Sequence, residues 1–403
     1  MDLSYDKRIL ALAAIAGTVS PLNALFWIIS PGNLFLCGTV WAIVFGLFLV
    51  ILQTGKKSLI ISCFFLLISV LTLQTVLIDW DARAIWLFHA KFIYFKNDFF
   101  GSLDPYDGAH PTYPVIYSAM VATLAKLVGH WNDVYPNFSI LPFFFAPLLV
   151  FSLLFKGVFS QAFMCIAVVL TCKINLFNGY MDGLVGLHTT AILFLYLRCR
   201  SVDFNSLSFF EKNLTTFLFF VLGVTLLNLK NEGSAALLVI ISIIAIQAPS
   251  NLKRNALLSL ITSFLAYLFM WKYPVFQYGL KTDIFTGPFT ERLIDRLNID
   301  SILAIISHLL HDIWKWLALI FVIKTFSRSY PFLFSRYKFV FQFCIIYFAI
   351  LFCIYLGTPA DLIWHLKTSA GRVSTPIAMG LAMCITHWFC HNPYIQIRSR
   401  NAY

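Results

Sequence analysis

Two carboxylates one residue apart, Asp79 and Asp81 in IDWDARAIWLFHAKF, follow directly on an apolar run covering residues 58–78. Acids at such a boundary can be plain loop acids or can pair with the nearby Arg83. In chemistry, a carboxylate can take the proton of an attacking hydroxyl or hold a divalent cation such as Mg or Mn. Trp86 and Lys91 follow within the same segment. Four more polar stretches interrupt apolar sequence: DPYDGAHPTYP (104–114) with His110 and Tyr113, NGYMDG (178–183) with Asp182, LKNEG (229–233) with Lys230 and Glu232, and DLIWHLKTSAGR (361–372) with His365 and Arg372. Arginine and lysine hold phosphate, arginine through two parallel hydrogen bonds. Aromatic faces stack on sugar rings and also mark membrane interfaces. Together these residue types suit transfer of a sugar from a lipid-phosphate donor.

Such residues need a scaffold, and the composition says which kind. Of 403 residues, 60% are hydrophobic and only 12% charged, against about 25% charged in a soluble domain. Apolar runs near 20 residues recur along the whole chain, which predicts an all-α, polytopic transmembrane bundle of about twelve spans. They are expected at 9–29, 34–52, 58–78, 138–155, 158–177, 181–198, 214–230, 233–248, 255–271, 302–324, 338–357 and 373–391. The chain reads as one transmembrane domain, 1–403: residues 1–57 form an N-terminal hairpin and 58–391 the core. The first span reads as a retained signal-anchor, since no cleavage signal follows it. The nine cysteines are scattered, with no C-x-x-C pair, so neither a zinc site nor a disulfide framework is indicated. His308, His311 and Asp312 have helical spacing but fit a polar helix end better than a metal site.

Charge sets the orientation. With the N-terminus in the cytoplasm, 16 of the 29 basic residues fall on the inner side, accompanied only by Asp2, Asp6, Asp203 and Glu211. The other basic residues share the outer side with the other acids. This positive-inside asymmetry also accounts for the net charge of +11 without nucleic acid. It requires the apolar run 113–129 not to cross. That run opens on Tyr-Pro and carries Lys126 late, so it reads as an interfacial helix within a long outer loop, 79–136. All five polar stretches then fall on the outer side. Ionisable groups at membrane depth cost a few kcal/mol each and persist where they pair, line a wet cavity or react. Residues 281–298 read as an amphipathic outer helix able to cover such a cavity.

With DWDARAIW in the first large outer loop, the chain resembles the GT-C superfamily of polytopic glycosyltransferases. HPTYPVIYSAM and DLIWHLKTSAGR resemble the bacterial, polyprenyl-phosphate-sugar-dependent branch, and NGYMDG and LKNEG fit the same order. The likeness runs loosely over residues 58–391. It departs in one respect: two spans precede the one that carries the acidic motif. The resemblance implies an inverting transfer from a polyprenyl-phosphate-linked sugar to a lipid or glycan acceptor of the cell envelope. Asp81 or Asp79 would be the base, and Arg372, with Lys230, would grip the donor phosphate. His110, Tyr113, Asp182, Glu232, His365, Trp86 and Lys91 would line the sugar or acceptor pocket. It also implies a multi-pass protein of a bacterial inner membrane, embedded in its lipids, with both termini cytoplasmic and the site facing outward.

Two other functions compete. A transporter or flippase for a lipid-linked sugar would also bury charge, but such proteins often show internal repeats and midplane charges. This sequence has no evident repeat, and its charges gather at one side. A binding subunit that has lost activity would not need the acids and Arg372 that are present here.

Overall fold

The computed structural model describes residues 3–54, 59–77, 79–103, 110–133, 136–173, 178–202, 204–280, 288–326 and 330–391. Residues 104–109 of the DPYDGAHPTYP stretch and 281–287 of the expected amphipathic helix lie outside them. Among the described residues there are helices and no strands. The α-helices run in order: α1 (Leu3–Ile29), α2 (Leu34–Gln53), α3 (Leu59–Gln74), α4 (Leu87–Lys96), α5 (Ile116–Val128), α6 (Pro142–Ser152), α7 (Val158–Cys172), α8 (Asp182–Ser201), α9 (Phe209–Leu229) and α10 (Glu232–Gln247). They continue with α11 (Ser250–Tyr267), α12 (Tyr273–Gln277), α13 (Phe289–Asp295), α14 (Ile299–Leu310), α15 (Trp314–Phe326), α16 (Tyr330–Arg336), α17 (Lys338–Gly357), α18 (Leu362–His365), α19 (Gly371–Val373) and α20 (Thr375–His391).

The protein is a helical, membrane-embedded bundle. Among the described residues six stretches are long and apolar enough to cross: Tyr5–Ile29, Leu34–Gln53, Phe209–Leu229, Asn251–Gln277, Lys338–Gly357 and Leu362–His391. The expected span 302–324 is not one straight helix. It bends by 74° between α14 and α15, where His311, Asp312 and Ile313 interrupt it. Helix α3 stops at Gln74, and α6, α7 and α10 are short apolar helices. Helix α5 has 13 residues, about 20 Å at the α-helical rise and short of a hydrocarbon core about 30 Å thick. It is wedged against α1, α2 and α4, with most of its side chains buried.

The bundle is organised around α8. Its residues from Asp182 to Cys199 are all buried, beneath α6, α9 and α20. A helix wrapped by protein need not be apolar all round, which is how α8 carries Asp182, His188 and Arg198 inside a membrane protein. Close contact with α20 is permitted by Gly186, where an added Cβ would lie 3.0 Å from Thr375. Among the described residues no two cysteines are joined by a disulfide.

Candidate functional site

Among the described residues three helices are interrupted by π-turns, in which one extra residue is fitted into a turn; such bulges recur at functional sites. The first is Ala82–Trp86, directly after Asp81. The third is Leu366–Ala370, between His365 and Arg372. The second, Leu268–Lys272, ends in a lysine. The loop before α8 reaches the first π-turn through Gly179. This residue has φ +87°, and a Cβ on it would stand 2.5 Å from that of Ala82. Only glycine allows the approach without strain. It brings Tyr180 and Asp182 beside Asp81.

At this meeting point a chain of alternating charge forms. Arg372 donates to Asp81 Oδ2 at 2.6 Å and lies 3.8 Å from Asp182 Oδ2. Lys230 donates to Asp182 Oδ1 at 2.8 Å and lies 3.2 Å from Glu232 Oε1. The order is Asp81, Arg372, Asp182, Lys230, Glu232, drawn from four segments far apart in sequence. Burial opposes the charge on Lys230, but Asp182 and Glu232 outweigh it and hold its pKa well above the ordinary lysine value. Two aromatic faces support the cations: the Arg372 guanidinium lies 3.9 Å from the Tyr180 ring centre, and Lys230 Nζ 5.9 Å from that of Tyr113. Glu232 Oε2 is buried and has no hydrogen-bond partner among the described residues.

The charge chain borders a cavity of about 550 Å³. Its wall includes Asp81, His110, Tyr113, Lys230, Glu232, His365 and Arg372. Asp182 lies behind Lys230 and Arg372 and is not part of the wall. Trp86 is fully buried and stacks on Tyr113 at 5.8 Å, so it supports the wall without reaching the cavity. His110 stacks on Tyr113 at 4.7 Å and meets the edge of Trp80 at 6.1 Å. Burial and the neighbouring acid Glu232 raise the Tyr113 phenol above its ordinary value, so it stays protonated. His365 Nδ1 and the Thr358 hydroxyl share a hydrogen bond of 2.7 Å. Trp80 and Trp364, 59% and 60% exposed, are both wall residues and so combine cavity and solvent contact.

Two expected residues stand elsewhere. Lys91 is on the surface, 3.6 Å from Asp133 and over the Trp131 ring; α4 carries it away from the cavity that Asp81 enters. Asp79 is half-buried and forms no part of the wall. Its carbonyl accepts the Arg83 amide, and the Arg83 side chain turns to the Leu77 carbonyl. Arg83 is thus not the partner of Asp81. Of the polar helix end, Asp312 pairs with Lys173, and His308 Nδ1 bonds the Ala304 carbonyl.

Several wall residues carried no signal of their own in the sequence. Asn231 sits between Lys230 and Glu232, and Tyr355 bonds Ser369 at 2.6 Å. Thr358, Pro359 and Ala360 are held from outside by the one described part of the expected amphipathic segment. Arg296, just after α13, donates to the carbonyls of Tyr355, Leu356, Thr358 and Ala360. Arg292 donates to that of Gly357 at 3.0 Å. Phe289 presses on Gly357, where a Cβ would meet the ring at 2.0 Å. Helix α13 therefore caps the last carbonyls of α17 and fixes the adjoining wall.

Among the described residues no three His, Cys, Asp or Glu side chains gather as a metal site. Asp81, Asp182 and Glu232 are instead bridged by a guanidinium and an ammonium. What the arrangement offers is a carboxylate at the cavity wall, a buried and a half-buried cation for an anion, and aromatic walls. No family model, curated protein or solved structure matches the chain.

Proposed function

We propose that the protein is a GT-C-type glycosyltransferase that moves a sugar from a polyprenyl-phosphate donor to a lipid or glycan acceptor of the cell envelope. The observation that carries this reading is the cavity in which Asp81 and the paired cations Arg372 and Lys230 meet beneath aromatic walls. The acceptor hydroxyl attacks the anomeric carbon, and its proton passes to Asp81. The bond from that carbon to the phosphate oxygen breaks, and the polyprenyl phosphate leaves with the electron pair. Arg372 and Lys230 stabilise the charge that develops on it. In the resting state Arg372 is bound to Asp81; a donor phosphate competes for the guanidinium and frees the carboxylate to act as base. Tyr113, His110 and Tyr355 provide faces for a sugar ring.

The same reading sets the protein in a bacterial inner membrane, with about twelve crossings once the shorter helices are included. Both termini are then cytoplasmic and the cavity faces outward. Residues 1–57 are an added hairpin before the core.

The test is transfer of radiolabelled sugar from a polyprenyl-phosphate donor to an envelope lipid or glycan by the purified protein. Asp81→Asn is expected to abolish transfer, while Lys91→Ala, out on the surface, leaves it intact. Full turnover in Asp81→Asn would remove that acid from the mechanism. Movement of the donor between leaflets without transfer would favour a flippase instead.

A further inference from the structure

The π-turn at Leu268–Lys272 stands apart from the other two, because no residue in it lines the cavity. Lys272 Nζ donates to Asn231 Oδ1 at 3.0 Å, and the Tyr267 hydroxyl approaches the same oxygen at 3.4 Å. The ammonium also lies 5.6 Å from the Tyr267 ring centre. No carboxylate pairs with Lys272 among the described residues, in contrast to Arg372 and Lys230. Asn231 itself lines the cavity, in the break between α9 and α10.

The orientation of an asparagine amide is decided by its hydrogen bonds. Two donors on Oδ1 settle it here: the oxygen faces Lys272 and Tyr267, and the NH2 group is the end of this cavity-lining residue that they leave unused. That NH2 makes no side-chain hydrogen bond among the described residues. The adjacent ammonium polarises the amide and strengthens its donors. An uncharged side chain thus becomes a directed donor to an anionic oxygen.

We infer that Asn231 is a ligand-binding residue that donates to a phosphate oxygen of the lipid-linked substrate, and that Lys272 is the positioning residue that turns it. The inference rests on the reading of the cavity as a polyprenyl-phosphate site and adds a specificity element to it. The π-turn has a reason in this account. Its extra residue brings the end of the α11 segment, which carries Lys272, over the break before α10.

The experiment compares binding of a polyprenyl phosphate with that of the uncharged polyprenol, using the full chain in nanodiscs. Lys272→Met is expected to weaken phosphate-lipid binding about tenfold, the worth of one charge-assisted hydrogen bond, with polyprenol binding unchanged. Lys272→Gln, whose amide still donates to Asn231 Oδ1, should retain most of the affinity. Asn231→Leu should lose as much as Lys272→Met, with no further loss in the double variant. If Lys272→Gln falls as far as Lys272→Met, the lysine acts by charge alone and the positioning role is overturned. If Asn231→Leu binds normally while Arg372→Gln does not, this inference fails and the donor site stands. If the unmodified protein does not prefer the phosphate to the polyprenol, both readings fail.

Discussion

Replacing Lys230 by methionine tests the charge chain directly. The side chain keeps its apolar stem and loses the ammonium that lies 2.8 Å from Asp182 and 3.2 Å from Glu232. Asp182 and Lys230 have side chains only 3% and 5% exposed, so water cannot replace the lost partner. Asp182 keeps Arg372 at 3.8 Å, while Glu232 keeps no ion pair among the described residues, where its Oε2 already has no hydrogen-bond partner. Removing one member of a buried pair costs about 3–5 kcal/mol, mostly because a charge is left uncompensated. The assay is equilibrium unfolding of the purified protein in detergent, followed by helical circular dichroism. Adding Asp182→Asn and Glu232→Gln to Lys230→Met removes the stranded charges and should recover at least about 1 kcal/mol beyond additivity. A Lys230→Met protein as stable as the parent would refute the reasoning. So would a triple variant no more stable than Lys230→Met alone.

Two further outcomes follow from other sites. Arg296→Met removes the donor to four carbonyls at the end of α17; amide hydrogen exchange across 355–366 should rise, with a local cost of about 2 kcal/mol, and unchanged protection would mean that α13 does not hold that wall. His89, on α4 in the loop after α3, is 1% exposed, and neither ring nitrogen has a hydrogen-bond partner among the described residues. Burial, helped by His110, lowers its pKa to about 4. The folded state then binds fewer protons than the unfolded one, so stability is whole above about pH 6.5 and declines by about 3 kcal/mol as pH falls towards 4. In His89→Leu this acid-side decline should shrink, and an identical pH profile would count against the assignment.

How much was legible in advance depended on charge. Asp81, Lys230, Glu232, His365 and Arg372 stood out because an ionisable group in apolar sequence is costly, and the cavity gathers all five. Lys91 stood out for the same reason, yet it lies on the surface, because a helical residue ten positions from Asp81 need not share its direction. Asn231, Thr358, Ser369 and Tyr180 are ordinary in composition, and only their position makes them part of the wall. The pairing of Asp81 with Arg372 spans 291 residues, which no local pattern encodes. Bundle character was readable from hydropathy, whereas the 74° bend between α14 and α15 was not. Its apolar run continues across the break, and only the polar His311 and Asp312 mark the place.

The π-turn after Asp81 acts as a phase shifter. Each residue of an α-helix advances the side-chain direction by about 100°, and the extra residue in Ala82–Trp86 offsets Trp80 and Asp81, the helical residues just before it, from α4 after it. The faces that bury Trp86 and Ala90 and the direction in which Asp81 enters the cavity therefore belong to two different helical registers. Deleting a single residue from this turn would join the registers into one regular helix. Asp81 would swing away from Arg372 with no charged residue changed, so the length of the segment is itself part of the site.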